Sequence, residues 1–189
     1  MLELTFVLSL LGFLASLTIH LLAAFGLADI PLQAAFGAFF PVLVVAVLAN
    51  MRLIVQRRRD YVWLPPGEFW RFITRNAPGW MRSLQVGMVL YAFLNFHLTM
   101  IAVNRGAYPR IMEGAYVLER HKLVIETLTR EQYLWHASFV VRMLSAIVMA
   151  VFFGAVMRWV ARWRTAAEDA ALRIEAPSQA HPLPEEAAR

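Results

Sequence analysis

The chain has 189 residues, of which 60% are hydrophobic and only 16% are charged, with a net charge of +5. Soluble domains are typically about 45–50% apolar and about 25% charged, so this composition indicates a bilayer rather than a water-soluble core. Cysteine is absent, which excludes disulfides, thiolate metal sites and thiol catalysis. Because the arginines flank apolar blocks, we interpret them as topology signals and expect no nucleic-acid partner.

Four apolar blocks predict transmembrane helices at about 4–27, 34–55, 83–103 and 137–160. Each reaches the roughly 20 residues that a helix needs to cross a bilayer core, where only intra-segment hydrogen bonds satisfy the backbone. The first block lacks a basic leader and is too long for a signal peptide, so we read it as a retained span. The predicted fold is all-α, a four-helix transmembrane bundle over residues 1–164.

The basic residues predict the orientation of the bundle. Residues 52–82 contain seven arginines against two acidic residues, and Arg158, Arg162 and Arg164 follow the fourth span. Cytoplasmic loops carry such an excess of positive charge. We therefore expect both termini in the cytoplasm and loop 104–129 outside.

Two cytoplasmic segments are expected beyond the bundle. Residues 65–80 lie between proline and glycine breakers and place their aromatic residues on one side of a short helix, which predicts an interfacial helix on the inner leaflet. Residues 165–189 are rich in Ala, Glu and Pro, which predicts a disordered tail.

The outer loop also has predicted structure. Two β-rich runs flank Arg120, His121 and Lys122, which favours a hairpin although the turn lacks Gly or Asn. Thr129 and Gln132 have capping-box spacing, so the fourth helix is predicted to begin at Arg130.

Several stretches together resemble a family of uncharacterised four-span bacterial inner-membrane proteins. They are "IHLLAAFG", "APGWMRSLQVGMVLYAFLNF", "GAYVLERHKLVIETLTREQY" and "LWHASFVVR". That family commonly has His-Gly where this chain has His121 and Lys122. The resemblance implies four spans and placement in the bacterial inner membrane, and it implies no activity or site.

One stripe of small and polar residues runs along the first span at helical spacing: Thr5, Ser9, Gly12, Ser16 and His20. Small residues let transmembrane helices approach closely. The stripe therefore predicts that His20 faces another helix rather than lipid.

Four polar residues form a predicted polar layer near the outer leaflet: His20, Asn95, His97 and Arg142. The two histidines and Arg142 each lie about 10 Å along their helices from the outer boundary, and Asn95 lies one turn deeper or less. Ionisable groups are costly in a bilayer and tend to face inward, so the layer is a candidate binding site. Asn95 and His97 point to nearly opposite sides of their helix, which argues against one shared pocket.

Several interpretations of the polar layer are open. The first is a structural cluster, in which Arg142 snorkels outward or meets Glu126 or Glu131. The second is a haem b site, in which the two histidines are axial ligands and Arg142 pairs with a propionate. The others are a quinone or lipid-headgroup site and a transition-metal site. At the level of function, we predict a scaffold or small subunit that binds a membrane-protein partner or a second copy. The alternative is a haem- or quinone-binding electron-transfer protein, and whether the chain is an enzyme stays open.

Overall fold

The computed structural model describes residues 2–26 and 76–175, together with positions 37, 40, 41, 43, 44, 48 and 74. The elements in chain order are α1 (Leu2–Ala24), α2 (Gly79–His97) continued by a π-helix (Leu98–Val103), β1 (Tyr108–Met112), β2 (Ala115–Arg120), β3 (Leu123–Leu128) and α3 (Arg130–Glu175).

Among the described residues, three helices are long and apolar enough to cross a membrane: Leu4–Ala24, Gly79–Val103 and Arg130–Leu172. They correspond to the first, third and fourth predicted spans. The second predicted span and the interfacial helix at 65–80 lie mostly outside the described residues. The all-α prediction needs correction, because the described residues combine three helices with a three-stranded sheet.

The long helix α3 is the centre of the described bundle, and α1 and α2 both pack against it. The start of α1 meets the end of α3, where the rings of Phe6 and Trp163 are 4.7 Å apart. The start of α2 also meets the end of α3, through Met81 and Met157. Both helices therefore run antiparallel to α3 and parallel to each other.

The stripe on α1 faces α3, as its spacing predicts. Ser9, Ser16 and His20 are all buried, and a Cβ added to Gly12 would lie 2.5 Å from Cζ of Phe152. The Ser9 and Ser16 hydroxyls donate to carbonyls one turn earlier, so they satisfy themselves within the helix. Only a glycine at position 12 permits this close approach.

The sheet has the antiparallel order β1-β2-β3, and the hairpin predicted around residues 120–122 is confirmed. The strands are joined by two-residue turns, Glu113-Gly114 between β1 and β2 and His121-Lys122 between β2 and β3. All four turn residues have positive φ. Two-residue turns with positive φ match the twist of paired strands. Strand β1 was not predicted, and its Pro109 is tolerated because this strand lies at the edge of the sheet.

The sheet is fixed to the first turns of α3. Leu118 and Leu128 pack with Tyr133 and Ala137 in one buried cluster. The capping box is confirmed, since the Gln132 N–H donates to Thr129 Oγ1 at 3.2 Å and the Thr129 N–H donates to Gln132 Oε1 at 2.8 Å. The helix therefore begins where the sequence predicts.

The end of α3 differs from the prediction. The helix continues past Thr165 to Glu175, so the first part of the expected disordered tail is helical. Residues 166–173 include no proline or glycine and contain five alanines and leucines, which favour helix continuation. The remainder of the predicted tail, 176–189, lies outside the described residues.

Candidate functional site

His20 is buried at the junction of the three helices, with 4% of its surface exposed. Its Nε2 lies 2.7 Å from the Tyr91 hydroxyl of α2. Its Nδ1 lies 2.9 Å from Ser145 Oγ and 3.2 Å from the Arg142 carbonyl oxygen, both on α3. One side chain of α1 therefore bridges to both of the other helices.

The hydrogen-bond partners determine the tautomer of His20. The Ser145 hydroxyl donates to the Val141 carbonyl at 2.7 Å, so its oxygen accepts from the imidazole. The Arg142 carbonyl can only accept, so Nδ1 carries the proton. In a neutral imidazole Nε2 is then an acceptor, and the Tyr91 hydroxyl donates to it. Both ring nitrogens are occupied.

Asn95 joins this arrangement through Tyr91. It is buried, and its Nδ2 donates to the Tyr91 carbonyl at 2.9 Å, one turn earlier in α2. Asn95 and His20 thus contact the same residue, Tyr91.

His97 lies elsewhere on α2. Its Nδ1 donates to the Phe93 carbonyl at 3.0 Å, and its ring centroid lies 4.0 Å from that of Phe93. Its other ring contact is Phe96. Since His20 and His97 share no described contact, the structure does not bring the two histidines into one pocket.

Arg142 contributes its backbone to the layer, whereas its guanidinium turns away. Cζ lies 5.0 Å from the ring centroid of Phe139, one turn nearer the start of α3, which is a cation–π contact. Its Nε is buried without a hydrogen-bond partner in the described part of the chain. Within the described residues, Arg142 forms no ion pair with Glu126 or Glu131, whereas Arg110 pairs with Glu119 on the sheet.

Two polar contacts near the sheet were not predicted. The His136 Nδ1 donates to Asn104 Oδ1 at 2.8 Å, and Asn104 is fully buried just after the π-helix. The Thr99 hydroxyl donates to the Phe139 carbonyl. The sequence contains little signal for these contacts, because the π-helix changes the angular positions of Thr99 and Asn104 from those of an α-helix.

The geometry favours a structural role for His20. An axial haem ligand needs a free ring nitrogen, and a ligand to His20 would have to displace Tyr91 or Ser145. Within residues 2–26 and 76–175 and the single described positions, no three His, Asp or Glu side chains form a group suited to a metal ion. The haem site therefore stays a prediction that these contacts do not support.

The comparisons with known proteins identify no relative. No family model, curated protein or solved structure matches this chain. Within its described residues the chain combines three helices that are long and apolar enough to cross a membrane with a small three-stranded sheet.

Proposed function

We propose that the chain is a four-span protein of the bacterial inner membrane that acts as a non-enzymatic subunit of a membrane assembly. Its partner is a membrane protein, or a second copy of this chain, that adds a β-strand to the open edge of β3. The placement in the inner membrane rests on the family resemblance described above.

The observation that carries this proposal is the exposure of β3. This strand lies at the edge of the sheet, and its residues from Leu123 to Thr127 are all exposed. Three of them are large and apolar, since Leu123, Val124 and Ile125 are 68%, 51% and 47% exposed. An apolar edge strand is a template for pairing with another chain.

The two edges of the sheet differ in a way that favours β3. The opposite edge, β1, contains Pro109 and Arg110, and proline and charge are residues that block edge-to-edge pairing. Within β3 only Glu126 carries a charge. Strand addition is therefore directed to one side of the sheet.

The directions of the helices support four spans. Because α1 and α2 are parallel, the chain leaves α1 on one side of the membrane and begins α2 on the other. The intervening residues must return across the bilayer an odd number of times. Leu43, in the second predicted span, packs against the buried cluster that includes Val141 and Val148. One crossing by residues 34–55 satisfies this requirement.

The test compares two matched isoleucines. Ile125 on β3 and Ile111 on β1 are both 47% exposed. After extraction in mild detergent, we expect native mass measurement to find the wild type and Ile111→Lys in an assembly larger than the monomer. Ile125→Lys should be monomeric, because its charge would be buried by the added strand.

The measured mass also distinguishes a second copy from a different membrane protein. A monomeric wild type would refute the assembly role. If both lysine variants assembled equally well, docking on β3 would be wrong.

A further inference from the structure

A groove lies between α2 and α3, and it extends along α2 from Gln85 to Ala92. Its volume is about 360 Å³, and it is open along one side. Its walls are mostly apolar and include Val89, Ala92, Ile147 and Val151. Gly154 forms part of the wall on α3, where the absence of a side chain keeps the groove open.

Two polar side chains line the groove. Arg158 is half-buried and has no hydrogen bond or ion pair in the described part of the chain. Gln85 is 94% buried; its Nε2 donates to the Ala150 carbonyl at 3.1 Å, while its Oε1 has no donor there.

The polar and apolar parts of the groove are separated along the helices. Arg158 follows Met157, which packs near the start of α2, and Trp159 and Trp163 lie at the same end of α3. Tryptophans mark the headgroup level of a membrane. From Gln85 to Ala92 the groove extends about 10 Å deeper at 1.5 Å per residue.

We propose that this groove binds one anionic phospholipid, such as phosphatidylglycerol. The phosphate pairs with Arg158, and an acyl chain lies along Val89 and Ala92. Basic pockets between transmembrane helices on the cytoplasmic side are suited to anionic headgroups.

The occupant follows from the combination of these features. A free phosphate would use Arg158 and would gain nothing from the apolar wall. A zwitterionic lipid would bring its own cation beside the unpaired guanidinium. This proposal is independent of strand addition at β3, which lies beyond the other end of α3.

The test uses the full chain in nanodiscs that contain equal amounts of phosphatidylglycerol and phosphatidylcholine, followed by native mass spectrometry of the released protein. We expect the wild type to retain one phosphatidylglycerol with at least about tenfold preference, equivalent to about 1.4 kcal/mol. Arg158→Gln should lose this preference. Arg158→Lys should keep part of it, because an ammonium still attracts phosphate as a point charge.

A matched glycine pair tests the apolar wall. Gly154→Leu should abolish retention of the lipid, because a Cβ there already lies 3.4 Å from Gln85 Nε2 and the rest of the side chain must enter the groove. Gly87→Leu is the control, because a Cβ at Gly87 has no neighbour within 4 Å. Circular dichroism checks that each variant keeps its helix content.

Three results would overturn the proposal: a wild type without lipid preference, an unchanged preference in Arg158→Gln, or displacement of the lipid by excess inorganic phosphate. If Gly154→Leu loses its helix content, the wild-type preference and the two Arg158 variants decide the question.

Discussion

The imidazole of His20 uses both nitrogens to hold α1 against the other two helices. Without Tyr91, its buried Nε2 would lack a donor, because the Ser145 and Arg142 oxygens are already engaged with Nδ1. An unpaired polar atom in an apolar environment costs free energy, although polar contacts within membrane proteins are individually modest.

Tyr91→Phe removes this one hydroxyl. We expect it to lower the free energy of unfolding by about 0.5–2 kcal/mol, because Nε2 loses its hydrogen bond while the ring packing is kept. Thermal unfolding in detergent, followed by circular dichroism, measures the effect. Tyr108→Phe on the exposed edge strand is the matched control. Equal stability of the two variants would mean that the bond to His20 contributes nothing.

The sequence predicts part of this site well. The spacing of the stripe on α1 correctly places His20 toward another helix, because helical geometry alone determines which residues share a face. It could not predict Tyr91 as the partner, since that choice depends on the packing of α2 against α1. It placed His97 in the layer by depth alone, and depth does not determine the side of the helix on which a residue lies.

The β2–β3 turn is unusual at the scale of single elements. His121 and Lys122 have φ values of 51° and 67°. This left-handed region favours Gly, and also Asn, Asp and His, so Lys122 is the residue that stores backbone strain there.

Lys122→Gly should relieve this strain and stabilise the sheet by about 1 kcal/mol. Hydrogen exchange of the β2 and β3 amides measures the change as slower exchange. Arg120→Gly is the control, because its position lies within a strand, where glycine destabilises by roughly 0.5–1 kcal/mol. Faster exchange in Lys122→Gly would contradict the assignment of strain to this turn.

Elements differ in how far the sequence determines them. The capping box at Thr129 and the β2–β3 hairpin follow from local patterns, and both were predicted. Strand β1 was not, because a proline in a five-residue strand weakens the local signal and its pairing with β2 is what stabilises it. The end of α3 was placed too early because a tail of alanine and glutamate can form helix as well as disorder.

At the scale of the whole molecule, the proposed topology places the sheet on the outer side of the membrane. A reporter that is active only in the cytoplasm should give no signal when it is inserted at Gly114, in the β1–β2 turn. The same reporter fused after Glu175 should be active, because both termini are expected inside. Activity at Gly114 without activity after Glu175 would reverse the orientation, and activity at both sites would indicate a protein that does not insert.

The continuity of α3 has a mechanical consequence. Its 46 residues form one helix of about 69 Å at 1.5 Å per residue, more than twice the roughly 30 Å hydrocarbon core of a bilayer. The sheet packs on the first turns of this helix, and Arg158, Arg162 and Arg164 lie in its second half. A tilt of about 10° about the midpoint of the helix moves its two ends by about 6 Å each, in opposite directions. A partner that shifts the sheet would therefore also displace the opposite end of α3.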